Sequence, residues 1–429
     1  MLRNNKKFLF GTTLFLAGLS ATGCGKGADN GKTVIELLHY KPEAVTYFEE
    51  VEKKFNETHD TIELKISSPN DAMTVLKTRL IREDNPDIIG IGGEYNYSNF
   101  IDAGILMDVS DFDGLSNIRQ NYLDINENLE FVPTDGIYGV PYMANAAGIL
   151  YNRDMFLEYG WQIPRTWEEL LALCEEIEAA GKLPFYMGYK DTWTCLSPWN
   201  SAASSLAEPT VCGDVNRGLT TFTDQYRVVA EQMKTLLQYG PKDFAAYSYN
   251  DACTAFARGE SAMFMIGSYA VPQIKSVNPD INIDSFVYPA SSEESGNYLT
   301  SGIDLQFCIM EDCPNKEAAY EVLRFLLEDE NVQAYMDNQN AIPCKEGNFK
   351  LASMLDGMKE YIEEGRVADF QDHFYPAEMA ADALIQTYLL DGDTDKFLKR
   401  FDTEWVRYNR DRIEKVQKYE TEHGEGEGK

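Results

Sequence analysis

Histidine is scarce in this chain. His39, His59, His373 and His423 are the only four in 429 residues, and no two of them stand at HExxH spacing. A zinc enzyme needs imidazoles gathered at short spacing, so the sequence argues against one. A GxSxG elbow, a Walker A sequence and a complete GxGxxG are also missing. Gly90, Gly92 and Gly93 come closest to a phosphate loop, but Glu94 follows where a lysine would be wanted. Asp391, Asp393 and Asp395 mimic the start of a calcium loop, although Lys396 replaces the glycine its sharp turn requires. That segment therefore reads as the beginning of a helix. No catalytic residue and no cofactor site is assigned. The 70 acidic residues keep one enzymatic alternative open, an exported glycosidase or lyase with paired carboxylates.

Positive charge is also in deficit, with 38 Lys and Arg against 70 Asp and Glu and a formal charge of -32. Such a field repels nucleic acid and anionic headgroups and argues against a polyanionic ligand. Neutral or cationic small molecules remain, and the same acidity serves solubility. Eight cysteines are present. Seven of them, Cys174, Cys195, Cys212, Cys253, Cys308, Cys313 and Cys344, have scattered spacings that fit neither a disulfide scaffold nor a CxxC knuckle. Most read as buried thiols, with a Cys195–Cys212 or Cys308–Cys313 bridge left open.

Long apolar runs are absent except at the N-terminus. There Arg3, Lys6 and Lys7 precede the run Phe8 to Ala21, and Ala21-Thr22-Gly23-Cys24 closes it. The run falls short of the about 20 residues that a spanning helix needs and reads as an export signal. It resembles a bacterial lipobox, which makes Cys24 the lipidated first residue of the mature chain and residues 25–31 part of a flexible tether. Removing the three basic residues takes the formal charge from -32 to -35.

The mature length exceeds what one core supports, so two lobes are expected. Thr33 to Leu38 reads as a buried strand, and Ala44, Phe48, Val51 and Phe55 share one helical face. Alternation at Ile62, Leu64 and Ile66, a helix through Val75 to Ile81, and an apolar strand over 87–91 complete a βαβαβ unit, which predicts a mostly parallel sheet. The pattern restarts near Ala146. A strand lies at 148–151, a capping box at Thr166 to Glu169 opens a helix ending at Gly181, and strands follow at 185–189 and 262–266 with helices over 224–237 and 251–258 between them. Ile303 to Ile309 alternates as a strand before a helix over 315–328, and the chain after Pro343 reads as largely helical to about Lys418. In open α/β folds ligands collect beyond the carboxyl ends of strands, which points to the cleft between lobes.

Gly139-Val140-Pro141-Tyr142, Leu150-Tyr151-Asn152-Arg153-Asp154-Met155-Phe156 and Pro164-Arg165-Thr166-Trp167-Glu168-Glu169-Leu170 give the chain its resemblance to family-1 extracellular solute-binding proteins, the group of the maltose-binding protein. Pro86-Asp87-Ile88-Ile89, Gly104-Ile105-Leu106, the stretch Ala255 to Met263 and the stretch Asn315 to Ala319 agree with it, in the family's order. The resemblance implies a two-lobed α/β fold of the type II periplasmic-binding-protein class, each lobe a sheet flanked by helices and joined by hinge crossings. It implies lobe 1 over 33–143 and 292–340, lobe 2 over 144–291 and 341–418, a signal at 1–23, a tether at 24–32 and a disordered tail at 419–429. It further implies a monomer, lipid-anchored on the extracellular side of the cell membrane, that clamps a neutral mono- or oligosaccharide and delivers it to ABC transporter permease subunits. A non-sugar solute or a membrane sensor as recipient are the alternatives within this fold.

Sugar hydroxyls need planar hydrogen-bonding groups, and the C–H faces of the ring need aromatic platforms. By family position, Tyr269 and Trp193 are the expected stacking residues. Asp191, Glu94, Tyr95, Asn145, Tyr40 and Lys41 are the expected neighbours of the ligand, and Gly302 and Asp304 line the cleft. Asp372 to Pro376 is a weaker candidate. Trp167 reads as a packed first-turn aromatic, and Trp199 and Trp405 as core.

Overall fold

The computed structural model describes residues 31–69 and 71–423. Cys24, the signal, most of the expected tether and the last residues of the tail lie outside them.

Among the described residues twelve strands are present: β1 (Thr33–His39), β2 (Ile62–Ser67), β3 (Ile88–Ile91), β4 (Val140–Ala144), β5 (Ile149–Asn152), β6 (Leu183–Phe185), β7 (Ser261–Phe264), β8 (Ile283–Phe286), β9 (Leu299–Thr300), β10 (Ile303–Ile309), β11 (Ile342–Pro343) and β12 (Val367–Ala368). They form a six-stranded sheet in the order β11-β4-β10-β3-β1-β2, a four-stranded sheet in the order β6-β7-β5-β8, and the pair β12-β9 between them. Each larger sheet is the centre of one lobe. The first lobe begins as the expected βαβαβ unit, with β1 parallel to both β2 and β3. The helix Val45–Thr58 packs on this sheet through Phe48, Val51 and Phe55, the apolar face that its spacing defines.

Neither sheet is mostly parallel. β10 runs antiparallel to β3 and β4, β11 runs antiparallel to β4, and β5 runs antiparallel to β7 and β8. The cause is the crossing topology. β10 enters the first sheet from the other lobe, and β4 and β11 lead out toward it, so they are not joined by the helical crossovers that enforce parallel pairing.

Three chain crossings connect the lobes and are bonded to one another. The Asn145 amide donates to the Gly302 carbonyl at 3.2 Å and the Ala147 amide to Thr300 at 3.0 Å, while Ile342 and Pro343 of β11 pair with Ala144 and Met143 of β4. Gly302 sits where a Cβ would lie 2.2 Å from Asp369 Oδ1 and 2.9 Å from the Phe370 ring, so only glycine admits this approach.

Thr166 caps the helix Trp167–Ala179 by accepting the Glu169 amide, as the capping box predicts. The acidic segment near 393 is the beginning of a helix: Asp393 caps Thr394–Tyr408 through the Lys396 amide. Trp199 and Trp405 are fully buried in the second lobe, where their indole N–H groups reach the Tyr375 hydroxyl and Asn216 Oδ1. All seven cysteines among the described residues are free and buried, so neither bridge left open by the sequence is formed.

Other expectations are corrected. The strand expected over 185–189 is β6 and ends at Phe185; Met187 and Tyr189 are buried in a loop whose Lys190 amide bonds Tyr247, which gave the segment the apolar look of a strand. Between Pro343 and residue 380 the chain is mostly short 3-10 turns and loop, and long helices resume at Ala381. The tail is helical through His423, because Arg410–His423 continues the preceding helical layer and buries Arg412 and Val416. No helix among the described residues is long and apolar enough to cross a membrane.

Candidate functional site

The carboxyl ends of β1, β3 and β7, and the loop after β6, converge on the cleft between the lobes. Two aromatic side chains there are exposed well beyond what packing requires: Trp193 and Tyr269, each 41% accessible. Tyr269 stands in the short turn Ser268–Ala270 after β7, and Trp193 in the turn Thr192–Cys195. Their ring centres lie 6.4 Å apart, and Tyr249 extends the wall with its ring 5.0 Å from Trp193. Gly267 carries the turn; a Cβ there would meet the Tyr269 ring at 2.2 Å.

Opposite this wall the first lobe supplies polar groups. Lys41 Nζ pairs with Asp304 Oδ1 at 2.7 Å and reaches Glu43 at 3.3 Å. Burial opposes the charge on Lys41, but Asp304 outweighs it and holds the ammonium above the usual lysine range. Asn145 Nδ2 donates to the same Asp304 oxygen at 3.3 Å, and its own Oδ1 is buried with no donor facing it. The Tyr40 hydroxyl donates to the Asp304 carbonyl. Lys41, Asn145, Asp304 and Tyr269 line one cavity of about 500 Å³. Four of the expected residues from both lobes are thus brought to one place, with Tyr40 bonded at its edge.

Glu94, half-buried at the end of β3, accepts from Asn96 Nδ2 at 3.1 Å. Asp191 is turned the other way: its Oδ2 accepts the Tyr249 amide at 2.8 Å, so it fixes the loop that presents Trp193 and Tyr249. Tyr95 lies apart from the 500 Å³ cavity, against Phe131 and Arg412. Trp167 is partly buried against Tyr288, as packing predicts.

Sequence reasoning missed Tyr249, although the Ser248-x-x-Asp251 capping box that starts its helix was there to be read. It also missed the pair formed by His373 and Asp369, joined at 2.8 Å beside Gly302. The two stand only four residues apart in the chain, so the spacing Asp369-x-x-x-His373 was the signal that could have found it. Asp372, in the weaker candidate segment, accepts from Asn200 Nδ2 at 2.7 Å.

Burial works to discharge His373, but Asp369, Asp372 and Glu94 together raise its pKa to about 9. The folded value lies above the unfolded one of about 6.5, so this cluster's contribution to stability is complete below about pH 6.5 and is lost as pH rises toward 9. Melting temperatures measured from pH 6 to 9.5 should fall over that window, and His373→Asn should flatten the fall. An unchanged slope in the variant would remove His373 from the account.

Residues 41–333 match the family described as bacterial extracellular solute-binding proteins. The multiple sugar-binding protein of Streptococcus mutans is 28% identical over 389 residues, covering 85% of this chain and 90% of that one. The apo-form of RafE from Streptococcus pneumoniae superposes with a TM-score of 0.78 at 25% identity, covering 89% of this chain and 99% of the other. RafE in complex with raffinose gives 0.71 at 26% identity, over 87% and 99%.

Proposed function

The chain belongs to the family of bacterial extracellular solute-binding proteins, and from that premise we propose that it captures a mono- or oligosaccharide between its two lobes. The exposed Tyr269, which shares one cavity with Lys41, Asn145 and Asp304 and has the exposed Trp193 beside it, is the observation that carries this reading. Rings on one side match the C–H face of a pyranose, and charged and amide groups on the other match its hydroxyls. Neither side alone encloses a ligand. Sugar bound to one lobe gains the other lobe's contacts only on closure, and that difference in affinity drives the closure.

The named binding of sugars by the Streptococcus mutans and RafE relatives supports the same class of cargo. In this reading the protein releases unmodified sugar to the permease of an ABC importer and is a monomer held at the outer surface of the membrane through a lipid on Cys24. The lobes meet at the crossings near residues 144, 300 and 344.

A thermal-shift screen of residues 25–429 against neutral sugars, amino sugars, amino acids and polyamines tests the cargo. A ligand at 100 times its dissociation constant stabilises by about 2.7 kcal/mol, a visible rise in melting temperature. A rise with saccharides and no new reducing ends is the expected result. Stabilisation by amino acids or polyamines alone, or turnover of the sugar, would replace this reading.

A further inference from the structure

One cation is buried between the helix Arg410–His423, the residues around Cys212, and the aromatic pair Tyr95 and Phe131. Arg412, in the helix Arg410–His423, is 8% exposed. Its guanidinium carbon lies 3.4 Å from the Phe131 ring centre and 4.5 Å from that of Tyr95. The rings take the faces of the guanidinium and leave its in-plane donor fork unused. Nε is buried and meets no acceptor, and none of the carboxylates among the described residues pairs with the group. Burial accordingly depresses its pKa, to about 10, against small opposing effects of Tyr95 and Cys212. The group therefore remains charged at neutral pH.

A charge taken out of water costs several kcal/mol unless it is paired. In a chain with 70 acidic residues, none is supplied to this one. Two cavities open on it. The smaller, about 250 Å³, sets Glu127 and Glu130 against Arg412 and an Arg217 already paired with Asp214. The larger, about 590 Å³, gathers Arg407, Arg410 and Lys415 around Arg412, with Asp102 and Asp411 as its acids. Lys415 is already joined to Asp102, and Arg407 to Glu404, which leaves Arg410 and Arg412 as its unpaired cations. Tyr95, the neighbour of Glu94 in the chain, forms part of its wall, and the cavity is separate from the one lined by Lys41, Asn145, Tyr269 and Asp304.

We propose that this cavity is a subsite for a carboxylate carried on the saccharide cargo, a uronate unit whose planar acid meets the Arg412 fork. The proposal rests on the saccharide reading and narrows it. A guanidinium flanked by aromatic faces with its edge free fits a planar two-oxygen acceptor. A single carboxylate also agrees with the overall field, which works against polyanions but yields locally to the two unpaired cations Arg410 and Arg412.

Calorimetry with galactose di- and trisaccharides that carry one terminal galacturonate and the matching neutral galactose oligomers tests it, with acetate as the free carboxylate. The acidic series should bind at least about tenfold more tightly than the neutral one to the parent protein. Arg412→Gln should erase that preference and leave neutral binding in place; Arg412→Lys, which keeps charge and stem but not the fork, should retain only part of it. Circular dichroism and melting curves of both variants show whether the fold survives, and Arg412→Lys carries the test if Arg412→Gln does not fold. Equal binding of the two series, or a preference that survives in Arg412→Gln, overturns the subsite while leaving the saccharide reading intact. Acetate that displaces the uronates as well as they displace each other breaks the link to the cargo. Failure of every saccharide to bind removes both.

Discussion

Trp193→Ala is expected to weaken saccharide binding about 5- to 150-fold, the equivalent of about 1–3 kcal/mol for an anchoring aromatic, with little change in melting temperature. The separation of the two effects follows from exposure. A ring that is 41% accessible in the free protein contributes little to the fold and has most of its surface left to bury on a ligand. Tyr269→Ala should behave alike. Because the rings stand only 6.4 Å apart, the double variant should fall short of the product of the single losses. Tyr269→Phe should retain most of the affinity if the face of the ring matters more than its hydroxyl. Isothermal titration with the best saccharide of the screen checks all four proteins. Undiminished binding by folded Trp193→Ala would move the platform elsewhere in the cleft.

The largest stability effect is expected at Asp304. Its alanine variant leaves Lys41, whose side chain is 13% accessible, without its nearest counter-charge. Breaking a fully buried pair costs about 3–5 kcal/mol; with Asp304 itself 17% accessible and Glu43 still 3.3 Å from the ammonium, about 2–4 kcal/mol is the expected loss. Removing both charges, as in Lys41→Met with Asp304→Leu, should recover much of it, since the penalty is that of an orphaned cation. Urea midpoints for the two single variants and the double give the coupling directly. Costs that simply add would mean the pair is unimportant to the fold. The same variants should lose ligand, because Asn145 and Tyr40 are positioned through Asp304.

Much of this architecture was legible because it is local. Phe48, Val51 and Phe55 repeat at helical spacing, Thr166 and Glu169 form a cap, and β1, β2 and β3 are apolar or alternating runs that become strands where expected. The sheet direction was not legible, because β4, β10 and β11 owe their orientation to crossings joining residues about 160 to 200 positions apart. The site divides in the same way. Tyr269, Trp193, Lys41, Asn145 and Asp304 could be named by family position; all but Trp193 line one cavity, and Trp193 stands beside Tyr269. Asp191 could be named but not its orientation, which is fixed by an amide 58 residues away. His373 with Asp369 is a spacing of four that nothing else in the chain marks out, and Arg412 between Phe131 and Tyr95 has no pattern at all, since it is created where separate segments meet.

The seven buried cysteines have a practical consequence. Burial raises the pKa of each thiol, to about 11 for Cys253 and Cys313 and further for the others, so none offers a reactive thiolate to a reagent in neutral solution. With Cys24 removed, a single cysteine placed on the rim of the cleft would be the one site that a maleimide dye labels in the native protein. The fold thus comes ready to be made into a fluorescent reporter of its own closure, with no native cysteine first mutated away.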